Sequence, residues 1–291
     1  MEGWGQGLGP TSPVIRDGYL YGRGGADDGY SVFSAMLAIK NAQMQGVTMP
    51  RCVLVLESEE ESGSPHLLHL LDLAKEFIQK PDFLLCLDTG ALNYDTFWLS
   101  SSLRGMCALT VTVKGAKEGY HSGEVGGIVP ETFRVLRTLL NRIEDPHTHK
   151  TVAEFDTEIP AYAYKEAEIM ESTFGTKCKC FMPVVESANL LNHNDAKEMY
   201  LNNNWRPSLS VIGASGLPPV AKAGNVLRSS TSLRLSLRIP PNADPRHVME
   251  LVKKKLTENV PYNCKVEISG EGLGSGWCMK TPEEWVTDAI N

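Results

Sequence analysis

The chain has 291 residues, with 28 Lys and Arg against 35 Asp and Glu for a formal net charge of −7, and is 42% hydrophobic and 22% charged. This is the composition of a folded globular chain long enough for about two domains, and it excludes disordered and fibrous classes. The acidic balance argues against nucleic acid or an anionic membrane surface as the main partner, and no apolar run reaches the ~18 residues of a membrane span.

Residues 1–4 lack the basic-then-apolar pattern of a secretion signal. The seven cysteines are scattered: Cys52, Cys86 and Cys107 lie in apolar runs and Cys264 in a more polar one. Such cysteines behave as small hydrophobes in a reducing compartment, so the expected location is the cytoplasm. Cys178 and Cys180 form a C-x-C pair, but no second Cys/His pair stands at zinc-finger spacing.

In chain order, 30–42 reads as a helix, with Phe33, Met36, Leu37 and Met44 at helical spacing. An apolar strand at 52–56, a helix at 66–77 opened by Ser64 and Pro65, and a second apolar strand at 83–87 follow. Continuous apolar strands separated by amphipathic helices predict a parallel, doubly wound α/β sheet covered on both faces. After Gly105 the pattern changes to alternation at 108–114 and 230–239, as in strands with one wet face. Helices are expected at 131–142, after Pro130 as a first-turn residue, and at 245–256, capped by Asp244. Strands at 208–212 and 264–269 complete a β-α-β-β-α-β order, the split arrangement of a ferredoxin-like sheet, interrupted by a long insertion at 145–205. A last helix is expected at 282–290. The domain division is 1–104, 105–272 and 273–291.

Acidic residues collect where the predicted parallel strands end. Asp27 and Asp28 follow a glycine turn (YGRGGADDGY), Glu57, Glu59, Glu60 and Glu61 follow the strand at 52–56, and Asp88 ends the strand at 83–87. Ligands of open α/β sheets bind at the carboxyl ends of strands, and converging carboxylates repel one another unless a cation neutralises them. The residues alone allow two readings, a divalent metal site or solvated acidic loops. The glycines at 22, 24 and 25 match neither dinucleotide nor phosphate-loop fingerprints, and the acidic pair beside them disfavours a phosphate. A nucleotide-type enzyme therefore ranks last.

YGRGGADDG, EEESGS, a strand ending in Asp88 and SLRG at 102–105, followed by His121-Ser122-Gly123, WRPSL at 205–209 and LRLSLRIPPNAD at 233–244, resemble the dizinc peptidase and acylase family. That family includes cytosolic non-specific dipeptidase, carnosine dipeptidase, aminoacylase and carboxypeptidase G, and EESGS with SLRG leans toward its dipeptidase branch. The resemblance implies a partial doubly wound catalytic sheet with an inserted α+β ferredoxin-like lid and dimerisation domain. It implies two divalent metal ions, zinc with manganese or cobalt as alternatives. Asp27 resembles the bridging ligand, Asp28 its partner across a cis peptide bond, Glu60 the general base, and Glu61 and Asp88 ligands of one metal each. His121 resembles the histidine that reaches across a homodimer to the oxyanion, Asn225 a second residue reaching the partner's substrate, and Arg238 the arginine on the substrate carboxylate. Taken alone, His121 reads as a turn residue and Arg238 as a strand charge facing water. The implied reaction is metal-dependent hydrolysis of the amide bond of a dipeptide or N-acyl amino acid.

The family also carries a metal-binding His-x-Asp ahead of the glycine turn and a late ligand histidine, neither of which has a counterpart here. His193-Asn-Asp195 spells the first motif in the wrong place, and His147/His149 and His66/His69 have metal-like spacings without a family role. With two histidine ligands missing, the chain is expected to be truncated at both ends and inactive as it stands. The alternative from another class is a non-catalytic dimerisation or interaction fragment built on 105–272.

Overall fold

The computed structural model describes residues 3–88, 90–91, 93, 95–175, 184–192, 194–280 and 284–290. The chain divides into two compact units, Met1–Leu99 and Ser100–Asn291.

The first unit opens with an antiparallel pair, β1 (Val14–Arg16) and β2 (Tyr19–Tyr21). A glycine-rich turn leads into α1 (Ser31–Met44), which ends where Gly46 takes a left-handed conformation (φ 76°). There the N–H of Gly46 bonds the carbonyl of Gln43 and that of Val47 the carbonyl of Ala42, each at 3.0 Å, using two carbonyls that the helix end leaves free. A single 3-10 turn, Glu60–Ser62, precedes α2 (Leu67–Leu73) and α3 (Lys75–Ile78). Both expected helices are thus present, the second broken at Ala74. The two inner strands are not. The runs at 52–56 and 83–87 form no ladder with any described residue. A continuous apolar run marks a segment that wants both faces covered, but the covering and the pairing come from neighbours that its own sequence does not specify. No described residue of this unit is buried, and Leu56 and Leu84 remain 68% and 78% exposed.

The second unit has a complete core. In chain order its elements are β3 (Ser102–Leu103), β4 (Gly105–Lys114), β5 (Tyr120–His121), α4 (Ser122–Val125), α5 (Thr132–Leu140), α6 (Ala161–Phe174), α7 (Ala196–Asn204), β6 (Ser208–Ser215), β7 (Val226–Leu227), β8 (Ser230–Ile239), α8 (Pro245–Thr257), β9 (Lys265–Gly274), β10 (Trp277–Cys278) and α9 (Glu284–Ile290). The sheet runs β6-β8-β4-β9, every pair antiparallel, which is the ferredoxin-like order expected from the sequence. Alternation decides its faces. Cys107, Leu109, Val111 and Val113 of β4 and Leu233, Leu235, Leu237 and Ile239 of β8 are buried with Val135, Leu136 and Leu139 of α5 and Val248, Met249, Val252 and Leu256 of α8. The opposite face carries Met106, Thr110, Thr112, Ser232, Arg234 and Arg238.

Side chains fix where these helices begin. Asp244 accepts from the N–H of Arg246 at 2.9 Å, with Pro245 at the first helical position, as expected. Pro130 instead lies outside α5. Glu131 is the cap, accepting from Phe133 and Arg134 at 2.9 and 2.7 Å. The 145–205 insertion holds α6 and α7, which pack through Ala163, Ala167, Leu201 and Trp205 into a smaller cluster. Asp195 caps α7 by accepting from Glu198 at 2.9 Å, so it has a structural role. His193, Cys178 and Cys180 lie outside the described residues. Among the described residues no helix is long and apolar enough to cross a membrane.

Candidate functional site

One group of candidate residues grows from three segments of the first unit. In the glycine turn, Gly24 sits at φ 76°, and a Cβ on Gly29 would stand 2.8 Å from the carbonyl oxygen of Gly24. Only glycine lets the chain cross itself this closely. The turn presents Asp27 and Asp28, and the peptide bond between them is cis, as the resemblance implied. The segment after 52–56 presents Glu57 and, on its 3-10 turn, Glu60 and Glu61. Asp88 follows 83–87.

These acids lie within electrostatic reach of one another. Burial, then the charges of Asp88, Glu61, Asp27 and Glu57, raise the Glu60 carboxyl above its ordinary value. Burial, then Asp28, Asp27 and Glu61, do the same to Asp88. The chain therefore brings Asp27, Asp28, Glu57, Glu60, Glu61 and Asp88 near one another and concentrates negative charge there. A hard divalent cation fits that donor chemistry, with Asp27, Glu61 and Asp88 available to hold it. Among the described residues no three His, Cys, Asp or Glu side chains converge as a closed set around one point, so the group is an electrostatic cluster and not a finished cage. Glu59 stands apart from it, paired with His66 at 2.7 Å in an exposed ion pair.

A separate group of candidate residues lies in the second unit. β5 and β7 form a two-stranded ladder with His121 opposite Val226, and the N–H of Ser122 bonds the carbonyl of Asn225 at 2.9 Å. His121 and Asn225, far apart in sequence, are therefore neighbours. The His121 ring accepts the Gly123 N–H on Nδ1 at 3.2 Å. A neutral imidazole that accepts at Nδ1 carries its proton on Nε2, so an exposed N–H donor is available. Arg238 lies on the inner strand β8, opposite Met106 of β4 and Ser208 of β6, with its side chain exposed.

Sequence reasoning overlooked Arg104, which entered only as part of the SLRG pattern. It is half-buried and donates through Nη1 to the carbonyls of Asn202 and Arg206 and the hydroxyl of Ser208. Its acceptors come from the insertion and the next strand, and no local spacing announces them.

The family model described as peptidase family M20/M25/M40 matches residues 1–287. The Cys-Gly metallodipeptidase dug1 of Schizosaccharomyces pombe is 27% identical over 283 residues, covering 96% of this chain and 59% of that protein. The Beta-Ala-His dipeptidase of Mus musculus is 29% identical over 251 residues, covering 84% and 49%. Among solved structures, the di-peptidase Dug1p of Saccharomyces cerevisiae superposes with a TM-score of 0.67 at 25% identity, over 94% of this chain and 58% of that one. Human carnosine dipeptidase 1 shares the fold with a TM-score of 0.68 at 21% identity, over 96% and 60%. The chain spans about half the length of the curated relatives that it matches.

Proposed function

The chain belongs to peptidase family M20/M25/M40, and on that premise we propose that it carries part of the site of a metal-dependent hydrolase acting on the amide bond of dipeptides or N-acyl amino acids. The observation that supports this reading most is the elevation of Glu60 and of Asp88, each by burial first and then by the surrounding carboxylates. The reading assigns residues 1–104 to the first part of the catalytic domain, 105–272 to a lid and homodimerisation domain, and 273–291 to the return. The expected location is the cytoplasm.

Asp27, Glu61 and Asp88 would hold two divalent ions, zinc first. When bound, the ions supply a polarised scissile carbonyl and a more acidic attacking water. Glu60, next to a ligand but not itself one, takes the proton from that water. The water oxygen bonds the carbonyl carbon, the C–N bond breaks, and Glu60 returns the proton to the departing amine. His121 of one subunit donates from Nε2 to the developing oxyanion of the other, Asn225 steadies the same substrate, and Arg238 grips its carboxylate. Asp28 supports Asp27 across the cis bond.

The test is hydrolysis of Cys-Gly and β-Ala-His with added zinc or manganese. Turnover that falls roughly 10²–10⁴-fold in Glu60→Gln supports the assignment. Turnover unchanged in Glu60→Gln removes it. A second reading has its own observation: among the described residues, the buried ones all lie in the second unit. A folded homodimer through 105–272 that neither binds metal nor hydrolyses either dipeptide would establish that interaction role instead.

A further inference from the structure

Arg104 and Arg238 form an unneutralised pair. Arg206, whose carbonyl accepts from Arg104, is balanced by Glu198 at 2.5 Å, and Lys114 by Glu267 at 2.7 Å. Arg104 has only neutral acceptors: the carbonyls of Asn202 and Arg206 at 3.4 and 3.2 Å and the hydroxyl of Ser208 at 3.0 Å. All three use Nη1, so Nε and Nη2 have no partner among the described residues. Arg238 has no ion pair among them either. A half-buried guanidinium without a carboxylate is costly, and a second cation beside it adds to the cost. Burial and then the Arg238 charge push Arg104 below its ordinary value, which places the two cations within reach of each other.

The register shows where they meet. Ser208 is the cross-strand partner of Arg238, and directly opposed residues stand about 4.5–5.5 Å apart on the same face. The hydroxyl that fixes Arg104 therefore belongs to the immediate neighbour of Arg238.

We infer that Arg104 is a second binding residue of the carboxylate site, held in place by Ser208, Asn202 and Arg206 so that its free N–H groups and those of Arg238 take one carboxylate between them. The inference rests on the reading of Arg238 as the carboxylate arginine and adds the residue that the sequence did not single out. Arg104 is the fixed arm, since its Nη1 is anchored at three points. Arg238, exposed, is the arm that adjusts. Two planar forks suit a carboxylate, whose oxygens accept more than one N–H each.

The test uses the full chain, labelled with ¹⁵N, titrated with N-acetylglycine while the arginine Nε–H signals are followed. Both the Arg104 and Arg238 signals should move along one binding curve. Arg238→Ala should weaken the probe at least 10-fold, Arg104→Gln about 5- to 10-fold, and Arg104→Lys, which keeps the charge, about 2-fold. A curve on which only Arg238 responds, or an Arg104→Gln affinity equal to wild type, overturns the inference while leaving Arg238 intact. An unchanged affinity in Arg238→Ala, or no binding to wild type, removes the Arg238 reading itself. The wild-type titration decides the matter even if Arg104→Gln fails to fold.

Discussion

The backbone N–H of Ser122 bonds the carbonyl of Asn225 at 2.9 Å, one residue beyond the short ladder in which His121 opposes Val226. Two residues expected to reach one substrate are thus fixed relative to each other by backbone, which holds position better than a flexible loop would. Beside the ladder, the N–H of Gly123 in α4 donates into His121 Nδ1, which favours the Nε2–H tautomer of a neutral ring.

A Cβ at Gly123 would stand 3.0 Å from Cε1 and 3.1 Å from Nδ1 of His121. Gly123→Ala should therefore push the ring away and break that hydrogen bond. In ¹⁵N spectra the neutral form of the wild-type imidazole should show the Nε2–H tautomer, and that of the variant a mixture of both tautomers. An unchanged tautomer in the variant would show that Gly123 does not orient His121.

The two units should respond differently to truncation of an apolar side chain. Leu136 is fully buried against β4 and β8, so Leu136→Ala should cost about 2–5 kcal/mol in urea denaturation. Leu37 on α1 is 66% exposed, and Leu37→Ala should fall within about 0.5 kcal/mol. Equal losses at both positions would mean that the α1 face is covered.

This contrast marks how far the sequence is legible. Alternation at 230–239 gave β8 its limits, and Asp244-Pro245 announced α8, because pattern and cap are local features. The runs at 52–56 and 83–87 carry the apolar signal of strands, but pairing is a relationship with a neighbour that the run does not encode. The carboxylates were legible as acids after apolar runs and acquired roles only through the family resemblance. Arg104 stayed hidden because its acceptors lie on α7, its C-terminal loop and β6.

Cys107 on β4 is buried, and its thiol is pushed up from 9.0 to about 11, chiefly by burial and then by the Asp244 charge. The folded state favours the neutral thiol. Its contribution to stability is therefore complete below pH 9 and is lost as pH rises through about 11. Denaturation midpoints measured from pH 8 to 11 should fall less steeply in Cys107→Ser, which has no ionisable thiol. Parallel curves for the two proteins would assign the alkaline loss elsewhere.

The most direct measurement is metal content per chain after dialysis against micromolar zinc, made on the folded protein beside Asp27→Ala, Glu61→Ala and Asp88→Ala. Zinc retained by the wild type and reduced in each variant is the expected result, because each carboxylate belongs to the cluster that raises Glu60 or Asp88. A folded wild type that retains no zinc, or variants that retain as much as the wild type, would contradict a metal site built on these carboxylates.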